Sequence, residues 1–140
     1  MAVVLDTSVV YARMDRNDAD HAAVSAWIDE QDDELVTTPL AVAEMDYLLT
    51  RIGGAPAAAA LRMDLKAGTY EVEWWPAAVA ESVSVADRHA SMGLGLVDAS
   101  LVALAARLST TWVATLDERH FRVLEPLTGE PAFTLLPADR

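Results

Sequence analysis

The segment at residues 3–10, with the sequence Val-Val-Leu-Asp-Thr-Ser-Val-Val, constrains the fold more than any other part of the chain. Its β-branched apolar residues predict a short strand buried on both faces, which is typical of the centre of a parallel sheet. The strand is expected to end at Asp6, and open α/β sheets bind ligands outside the carboxyl ends of their strands. Asp6 is therefore a candidate site residue, although an aspartate at such a position also suits a turn or a helix cap.

Four further short apolar runs predict strands, and helical patterns separate them. The strands are expected at about residues 35–38, 70–75, 111–116 and 133–136. Apolar residues at helical spacing predict helices at about 11–16, from 19 or 20, from Pro39, from Pro56, at 77–92 and from 98. This alternation of strands and helices favours an α/β fold with a central, mainly parallel sheet and right-handed crossovers.

Helical spacing also predicts which side chains of these helices are buried. In the helix that begins at Pro39, the apolar face comprises Ala41, Met45, Leu48, Leu49 and Ile52. The helix from Pro56 contains the alanine run with Leu61, Met63 and Leu65, and the helix at 77–92 is expected to bury Val79, Val83 and Ala86.

The chain has 140 residues, of which 53% are hydrophobic and 23% charged, and this predicts one globular domain over residues 1–140. The absence of cysteine excludes a disulfide scaffold and thiolate metal sites, and it is compatible with a reducing cytosol. No basic signal-peptide segment precedes the first apolar run, and no apolar stretch is long enough to span a bilayer. We therefore expect a cytoplasmic protein that makes no membrane contact.

The formal net charge of −12 argues at first against a nucleic-acid partner, because a diffuse negative field repels phosphate. Divalent cations bound to clustered acidic residues would weaken that repulsion. Nine of the ten basic residues are arginine, the side chain better suited to bind phosphate. The acidity equally suits a basic partner protein, so composition leaves both classes of partner open.

Three further carboxylates are candidate site residues. Glu44 follows Ala41 by three residues and precedes Leu48 by four, so it lies on or beside a buried stripe where an unpaired glutamate is rarely tolerated. Asp98 begins a strongly apolar helix, where a helix cap is the alternative interpretation. Asp117 ends a predicted strand. In a parallel sheet these positions are expected to open on the same edge as the end of the first strand.

Carboxylates gathered at one edge of a sheet must be neutralised. Two unit charges about 5 Å apart repel by roughly 3 kcal/mol at an effective dielectric constant of 20. Such a cluster is stable when some of its groups bind protons or when a cation neutralises it. All-oxygen ligands select a hard ion, Mg²⁺ or Mn²⁺, rather than zinc. The predicted metal ligands are Asp6 and Asp98, with Glu44 and Asp117 coordinating directly or through water.

Taken together, these motifs resemble the PIN-domain ribonucleases, specifically the VapC toxins of bacterial toxin–antitoxin pairs. The resemblance covers essentially the whole chain, and no acidic position of the pattern is missing. The matching stretches are Leu5-Asp6-Thr7-Ser8, the helix from Pro39 to Glu44, Val97-Asp98-Ala99, and Thr115-Leu116-Asp117 followed by His120-Phe121.

The resemblance implies an α/β/α sandwich, Mg²⁺-dependent cleavage of RNA, a homodimer and a cognate antitoxin protein. It also implies that Asp6, Glu44, Asp98 and Asp117 are the catalytic residues, supported by Thr7 or Ser8. The helices at 39–51 and 56–66 are apolar on much of their surface and rich in small residues. With the resemblance, this indicates that they form a groove for an antitoxin segment.

The expected reaction is hydrolysis of an RNA phosphodiester by metal-activated water. Cleavage through the RNA 2′-hydroxyl would need a paired acid and base, commonly two histidines. The three histidines, His21, His89 and His120, lie on separate predicted elements, and only His120 is near a candidate carboxylate in the sequence. The carboxylates therefore favour metal-dependent hydrolysis, with Arg13, Arg16, Arg119 and Arg122 as candidate contacts to flanking phosphates.

Other classes of function fit the sequence less well. An aspartate-based phosphatase of the haloacid dehalogenase type would carry a second aspartate two residues after the first, where this chain has Ser8. A receiver domain would carry an acidic pair and a late lysine, whereas the single lysine here is Lys66. A non-catalytic interaction module, in which the acids only cap helices, remains the main alternative.

Overall fold

The computed structural model describes residues 1–140 and has a five-stranded sheet at its centre. The strands are β1 (Ala2–Leu5), β2 (Glu34–Thr37), β3 (Glu71–Val72), β4 (Trp112–Ala114) and β5 (Thr134–Leu136). Their order across the sheet is β3-β2-β1-β4-β5, and every neighbouring pair is parallel. The sequence-based prediction of a parallel sheet with the first strand at its centre is confirmed.

Seven α-helices connect the strands and form the outer layers of an α/β/α sandwich. They are α1 (Thr7–Met14), α2 (His21–Glu30), α3 (Pro39–Leu48), α4 (Ala55–Ala67), α5 (Ala78–Arg88), α6 (Leu96–Arg107) and α7 (Glu118–Phe121). A π-helical turn (Leu49–Gly53) continues α3, and a 3₁₀ turn (Ala90–Met92) follows α5. None of these helices combines the length and the apolar character that crossing a membrane requires.

One hydrophobic cluster holds the layers together. In β1, the side chains of Val3, Val4 and Leu5 are completely buried, as expected for a strand flanked on both sides and covered on both faces. Helix α6 is buried over the seven consecutive residues 99–105, and it packs between α5 and α3. Its alanines allow close approach of these neighbours on several sides. The sheet and α6 therefore form a rigid support for the residues at the carboxyl ends of the strands.

Several element boundaries differ from the sequence-based prediction, among them the start of α6 at Leu96 and the end of β4 at Ala114. Helix α1 begins at Thr7, directly after β1, rather than at Tyr11. The Asp6 N–H still bonds to the Ala114 carbonyl in the sheet, and the Val9 N–H already bonds back to Asp6. The β-branched Val9 and Val10 thus belong to a buried helix face, where tertiary packing overrides their preference for strands. Strand β3 is limited to two residues because it pairs only with β2 at the sheet edge.

The predicted inward face of α5 is wrong for Val79 and Val83, whereas Ala86 is partly buried against the core. Val79 and Val83 are 61% and 39% exposed, and the buried residues of the helix are Ala78, Ser82 and Val85. The smaller side chains face α6 and allow close helix packing. The Ser82 hydroxyl donates to the Ala78 carbonyl at 2.7 Å, so a polar side chain can be buried there without an unpaired group.

Ile52, which was predicted to belong to the apolar face of its helix, is 71% exposed. Met63 in α4 is 72% exposed. Their neighbours Leu49 and Leu61 are completely buried and complete the core at those points. Ile52 and Met63 therefore add exposed apolar surface to the segment from α3 to α4.

Candidate active site

The register of the sheet places Asp6 next to Thr115. Leu5 of β1 pairs with Ala114 of β4, so the residues that follow leave the sheet side by side. The Thr115 hydroxyl donates a hydrogen bond of 2.8 Å to Asp6 Oδ2, and the Ser8 hydroxyl donates a second of 2.7 Å to the same oxygen. Asp6 is only 5% exposed, and these two donors compensate for its burial.

The same hydroxyl groups also hold the loop after β4. Ser8 Oγ accepts a hydrogen bond of 2.9 Å from the Leu116 N–H, and Thr115 Oγ1 accepts one of 3.0 Å from the Asp117 N–H. The position of Asp117 is thereby coupled to that of Asp6. Of the two supporting residues considered from the sequence, Ser8 is the one that contacts Asp6. The Thr7 hydroxyl is buried and has no hydrogen-bond partner.

His120 joins Asp98 and Asp117. Its Nδ1 lies 3.0 Å from Asp98 Oδ2 and 3.6 Å from Asp117 Oδ2, so one imidazole lies between two carboxylates. The three residues each offer one ligand atom, and these atoms lie within 4.8 Å of one another. Oxygen and nitrogen atoms at this spacing can bind one metal ion.

Asp98 lies in an electrostatically unfavourable position for a carboxylate. Burial raises its pKa above the ordinary value, and the negative charges of Asp6 and Asp117 raise it further, while His120 acts in the opposite direction. Burial, and after it the neighbouring carboxylates, disfavour the ionised form of Asp98. A bound cation would favour that form.

All four carboxylates predicted from the sequence line one open cavity of about 520 Å³. Asp6 enters it from the end of β1, Asp117 from the loop after β4, Asp98 from the first turn of α6 and Glu44 from the middle of α3. The lining residues, which define the acidic cavity below, are Asp6, Thr7, Ser8, Tyr11, Asp18, Glu44, Leu48, Ile52, Asp98, Leu116 and Asp117.

The capping interpretation does not account for Asp6 and Asp98. Asp6 occupies the N-cap position of α1, but its side chain forms no capping hydrogen bond and bonds instead to Ser8 and Thr115. Asp98 is the third residue of α6, whose N-cap is Gly95, and its carboxylate bonds to His120. Both carboxylates are directed into interactions across the cavity rather than toward the backbone of their own helices.

The family follows from comparison with known proteins. The model of the PIN domain family matches residues 3–125. The chain is also 38% identical over 136 residues to Ribonuclease VapC26 of Mycobacterium tuberculosis, a match that covers 96% of this chain and all of the relative. The chain belongs to the PIN-domain family of VapC ribonucleases. The resemblance inferred from the sequence is thereby confirmed.

Solved structures give the same fold for this PIN domain. The crystal structure of Mycobacterium tuberculosis VapC20, described as a sarcin-ricin loop cleaving toxin, superposes with a TM-score of 0.73 at 21% identity, covering 79% of this chain and 86% of that one. PAE2754 of Pyrobaculum aerophilum superposes with a TM-score of 0.54 at 27% identity, covering 84% and 83%. At 21% identity, the likeness to VapC20 shows only that the two proteins share a fold.

The sequence-based prediction of site residues missed three polar residues, of which Asp18 lines the acidic cavity and the other two contact its carboxylates. Thr115 contacts Asp6 and Asp117, His120 contacts Asp98 and Asp117, and Asp18 adds a fifth carboxylate to the cavity wall. The sequence could have identified Thr115 as a site residue, since it stands at the end of a predicted strand, two residues before a candidate aspartate. Asp18 lies in a polar turn between α1 and α2, where nothing in the sequence distinguishes it from surface charge.

Proposed function

We propose that this PIN-domain protein is a Mg²⁺-dependent endoribonuclease that acts as the toxin of a type II toxin–antitoxin pair. The observation that carries the proposal is the convergence of Asp6, Glu44, Asp98 and Asp117 on one open cavity. They come from four separate elements of the fold, so helix capping or local charge pairing does not explain their proximity. The 38% identity to a ribonuclease over nearly the whole chain supports the same activity.

The donor set fits a hard divalent cation. Carboxylate oxygens dominate it, which favours Mg²⁺ with Mn²⁺ as a substitute, and His120 adds one nitrogen within reach of Asp98 and Asp117. We assign Asp6 and Asp98 as the principal ligands, with Glu44 and Asp117 coordinating directly or through water. Asp6 Oδ2 already accepts two hydrogen bonds, which leaves Oδ1 as its free ligand atom.

The residues around the carboxylates have distinct roles in the proposed hydrolysis. Ser8 and Thr115 hold Asp6 in one orientation, and the same hydroxyls fix the loop that carries Asp117. The Glu44 carboxylate also lines the cavity and forms no ion pair with a basic residue, so it can orient a water molecule. When bound, a divalent ion lowers the pKa of water and stabilises the negative charge that develops on the attacked phosphate.

This mechanism leaves a 5′-phosphate and a 3′-hydroxyl. Cleavage through the 2′-hydroxyl would require a general acid and a general base on either side of the phosphate. His120 is bonded to Asp98, and His21 lines a different cleft and bonds to the Ala12 carbonyl at 2.8 Å. None of the three histidines is among the residues that line the acidic cavity, so the histidine pair typical of 2′-hydroxyl chemistry does not form there.

The test uses pure protein and single-stranded RNA. We expect cleavage in Mg²⁺ or Mn²⁺, no cleavage in EDTA, and equal cleavage of a substrate that carries a 2′-O-methyl group at the scissile nucleotide. Asp98→Asn is the inactive control, and calorimetry should show that Asp6→Asn and Asp98→Asn both weaken Mn²⁺ binding. Products with a 2′,3′-cyclic phosphate, or activity that persists in EDTA, would contradict the mechanism.

The same proposal includes two protein partners, a cognate antitoxin and a second copy of the chain. The exposed side chains of Ile52 and Met63 give the segment from α3 to α4 the apolar surface that a partner segment can cover. An arginine of the antitoxin could enter the acidic cavity and neutralise it in place of a cation. A protein that sediments as a monomer and never co-purifies with the product of a neighbouring gene would contradict this part.

A further inference from the structure

An exposed tyrosine and an exposed arginine lie together beside the acidic cavity. Tyr47 follows Glu44 by three residues and Arg51 follows it by seven, so both lie on the helix face that carries Glu44. Their immediate neighbours Leu48 and Ile52 line the cavity. Tyr47 is 58% exposed, and Arg51 Cζ lies 5.6 Å from the centre of its ring. The pair, called the Tyr47–Arg51 platform below, therefore lies on the row of helix residues next to the row that lines the cavity.

Arg51 has a free positive charge, which is uncommon in this chain. Six of the nine arginines are within 4.0 Å of a carboxylate, and the three without such a partner are Arg16, Arg51 and Arg88. On the far side of α3, Asp46 is occupied by Arg62 at 2.7 Å, so no acidic neighbour neutralises Arg51. Arg16 lines separate clefts, and Arg88 ends α5.

We infer that the Tyr47–Arg51 platform binds one nucleotide of single-stranded RNA next to the scissile phosphate. The base stacks on the Tyr47 ring, and the Arg51 guanidinium binds the adjoining phosphate. The inference rests on the proposed ribonuclease activity and adds to it a substrate-binding subsite outside the carboxylate cluster.

The charge and shape of the platform favour RNA over a protein segment. A chain with a net charge of −12 and a cavity of carboxylates repels a polyanion. A free cation next to that cavity therefore contributes more to binding a phosphate than to binding an uncharged ligand. A flat aromatic ring beside an arginine is the combination on which unpaired bases stack in proteins that bind single strands. Every base has such a face, so this subsite binds without strong sequence preference.

The experiment measures binding and cleavage separately. Binding of a fluorescent single-stranded RNA to the full chain is measured in Ca²⁺ over a range of salt concentrations, and cleavage is measured in Mg²⁺. Tyr47→Ala is expected to raise the Kd and the KM by roughly 5- to 100-fold, the range for loss of one stacked base, whereas Tyr47→Phe retains the wild-type values. Arg51→Ala is expected to reduce the slope of log K against log salt by about 0.7, as for one lost phosphate contact to a single strand.

Arg88→Ala is the matched control, because it removes an equally unpaired arginine from α5 and should leave the salt slope unchanged. If the wild-type protein cleaves RNA while Tyr47→Ala and Arg51→Ala bind it normally, the platform is wrong and the ribonuclease proposal stands. If the wild-type protein binds RNA through Tyr47 but never cleaves it, the proposed activity fails and the platform stands. Unchanged RNA affinity with weakened binding of a co-purified protein would assign the surface to protein docking and overturn the inference.

Discussion

One oxygen atom, Oδ2 of Asp6, receives hydrogen bonds from both side chains that also fix the loop carrying Asp117. Ser8 and Thr115 each donate to this oxygen and each accept a backbone N–H of that loop. A buried aspartate and a partly exposed one are thus held in a fixed relation by two hydroxyl groups. These residues touch no substrate in the proposed mechanism, so their effect on catalysis acts through the positions of the carboxylates.

Thr115→Val removes one of these hydroxyls with almost no change in volume. We expect the free energy of unfolding to fall by about 1–3 kcal/mol, because the buried Asp6 carboxylate and the partly buried Asp117 N–H each lose a hydrogen-bond partner. Loss of such a supporting group is expected to lower metal affinity or kcat by about 10- to 100-fold. Denaturant titration, calorimetry and kinetics measure these changes. Thr115→Ser keeps the hydroxyl and should retain most of the stability and most of the activity. A Thr115→Val variant with wild-type kcat and metal affinity would contradict the prediction.

Asp98→Asn should stabilise the metal-free protein while it abolishes activity. The charge of Asp98 is buried beside Asp6 and Asp117, and its removal is expected to add about 1 kcal/mol at pH 7, a fraction of the roughly 3 kcal/mol between two charges about 5 Å apart. The folded-state pKa of Asp98 is raised, so the folded protein holds this proton longer than the unfolded chain. Wild-type stability therefore falls relative to the variant as pH rises from about 4, the unfolded value, through the folded pKa.

Urea titrations in EDTA at several pH values check this prediction. The difference between Asp98→Asn and wild type should vanish below about pH 4, where both forms of the side chain are neutral. A variant that is less stable than wild type at pH 7 in EDTA would show that the hydrogen bond to His120 outweighs the repulsion.

Two helices that carry proposed catalytic carboxylates are joined by a buried pair of hydroxyls. Thr38, the N-cap of α3, lies 2.9 Å from Ser100 of α6, and both side chains are fully buried. The Ser100 hydroxyl donates to the Val97 carbonyl at 2.7 Å, so Thr38 is the donor between the two hydroxyls, while it accepts from the Ala41 N–H. Every donor and acceptor of this link is used, which fixes α3 with Glu44 against α6 with Asp98.

Ser100→Ala should loosen that link. We expect a loss of about 1–3 kcal/mol in the free energy of unfolding, because the Thr38 hydroxyl is left buried without an acceptor. We also expect a lower kcat with little change in KM, since Glu44 and Asp98 shift relative to each other. Ser84→Ala is the matched control. Ser84 donates to a carbonyl of its own helix in the same manner but is exposed, so its loss should stay within about 0.5 kcal/mol. Equal effects of the two substitutions would refute the link.

The whole molecule combines a large negative charge with a local excess of carboxylates in one cavity. Sodium ions only screen the net charge of −12, whereas a divalent ion bound in the cavity cancels charge where repulsion is strongest. Binding that occurs only in the folded state adds stability in proportion to the logarithm of the ion concentration. The two effects are therefore separable by comparing salts at matched ionic strength.

Mg²⁺ should raise the melting temperature more than NaCl of equal ionic strength. At a hundred times the Kd, the binding contributes about 2.7 kcal/mol, equivalent to a rise in Tm of roughly 6–10 °C for a chain of this size. Scanning calorimetry with and without EDTA measures the shift. Asp98→Asn should respond equally to the two salts, and an equal response of the wild-type protein would indicate that it has no specific divalent site.

The sequence by itself determined the layout of strands and helices and the edge at which the carboxylates collect. Buried β-branched runs, with Pro39 opening a helix after β2, are local signals, and parallel strands necessarily end at one edge of a sheet. The position of Asp6 at a strand end follows from those signals alone, whereas Asp117 lies three residues beyond the end of β4. The spacing of Glu44 to Ala41 and Leu48 predicted the face of α3 on which it lies, because an α-helix has 3.6 residues per turn.

Only the tertiary structure decided which side chains meet across the cavity and which helix faces are buried. Thr115 and Asp6 are 109 residues apart in the chain, and their contact depends on the register between β1 and β4. The contact of His120 with Asp98 and the exposure of Val79 likewise depend on how separate elements pack. Periodicity predicts that a helix has an apolar side, but the residues that become buried depend on the neighbouring element. In α5, the small residues Ala78 and Ser82 are buried because the helix packs against α6.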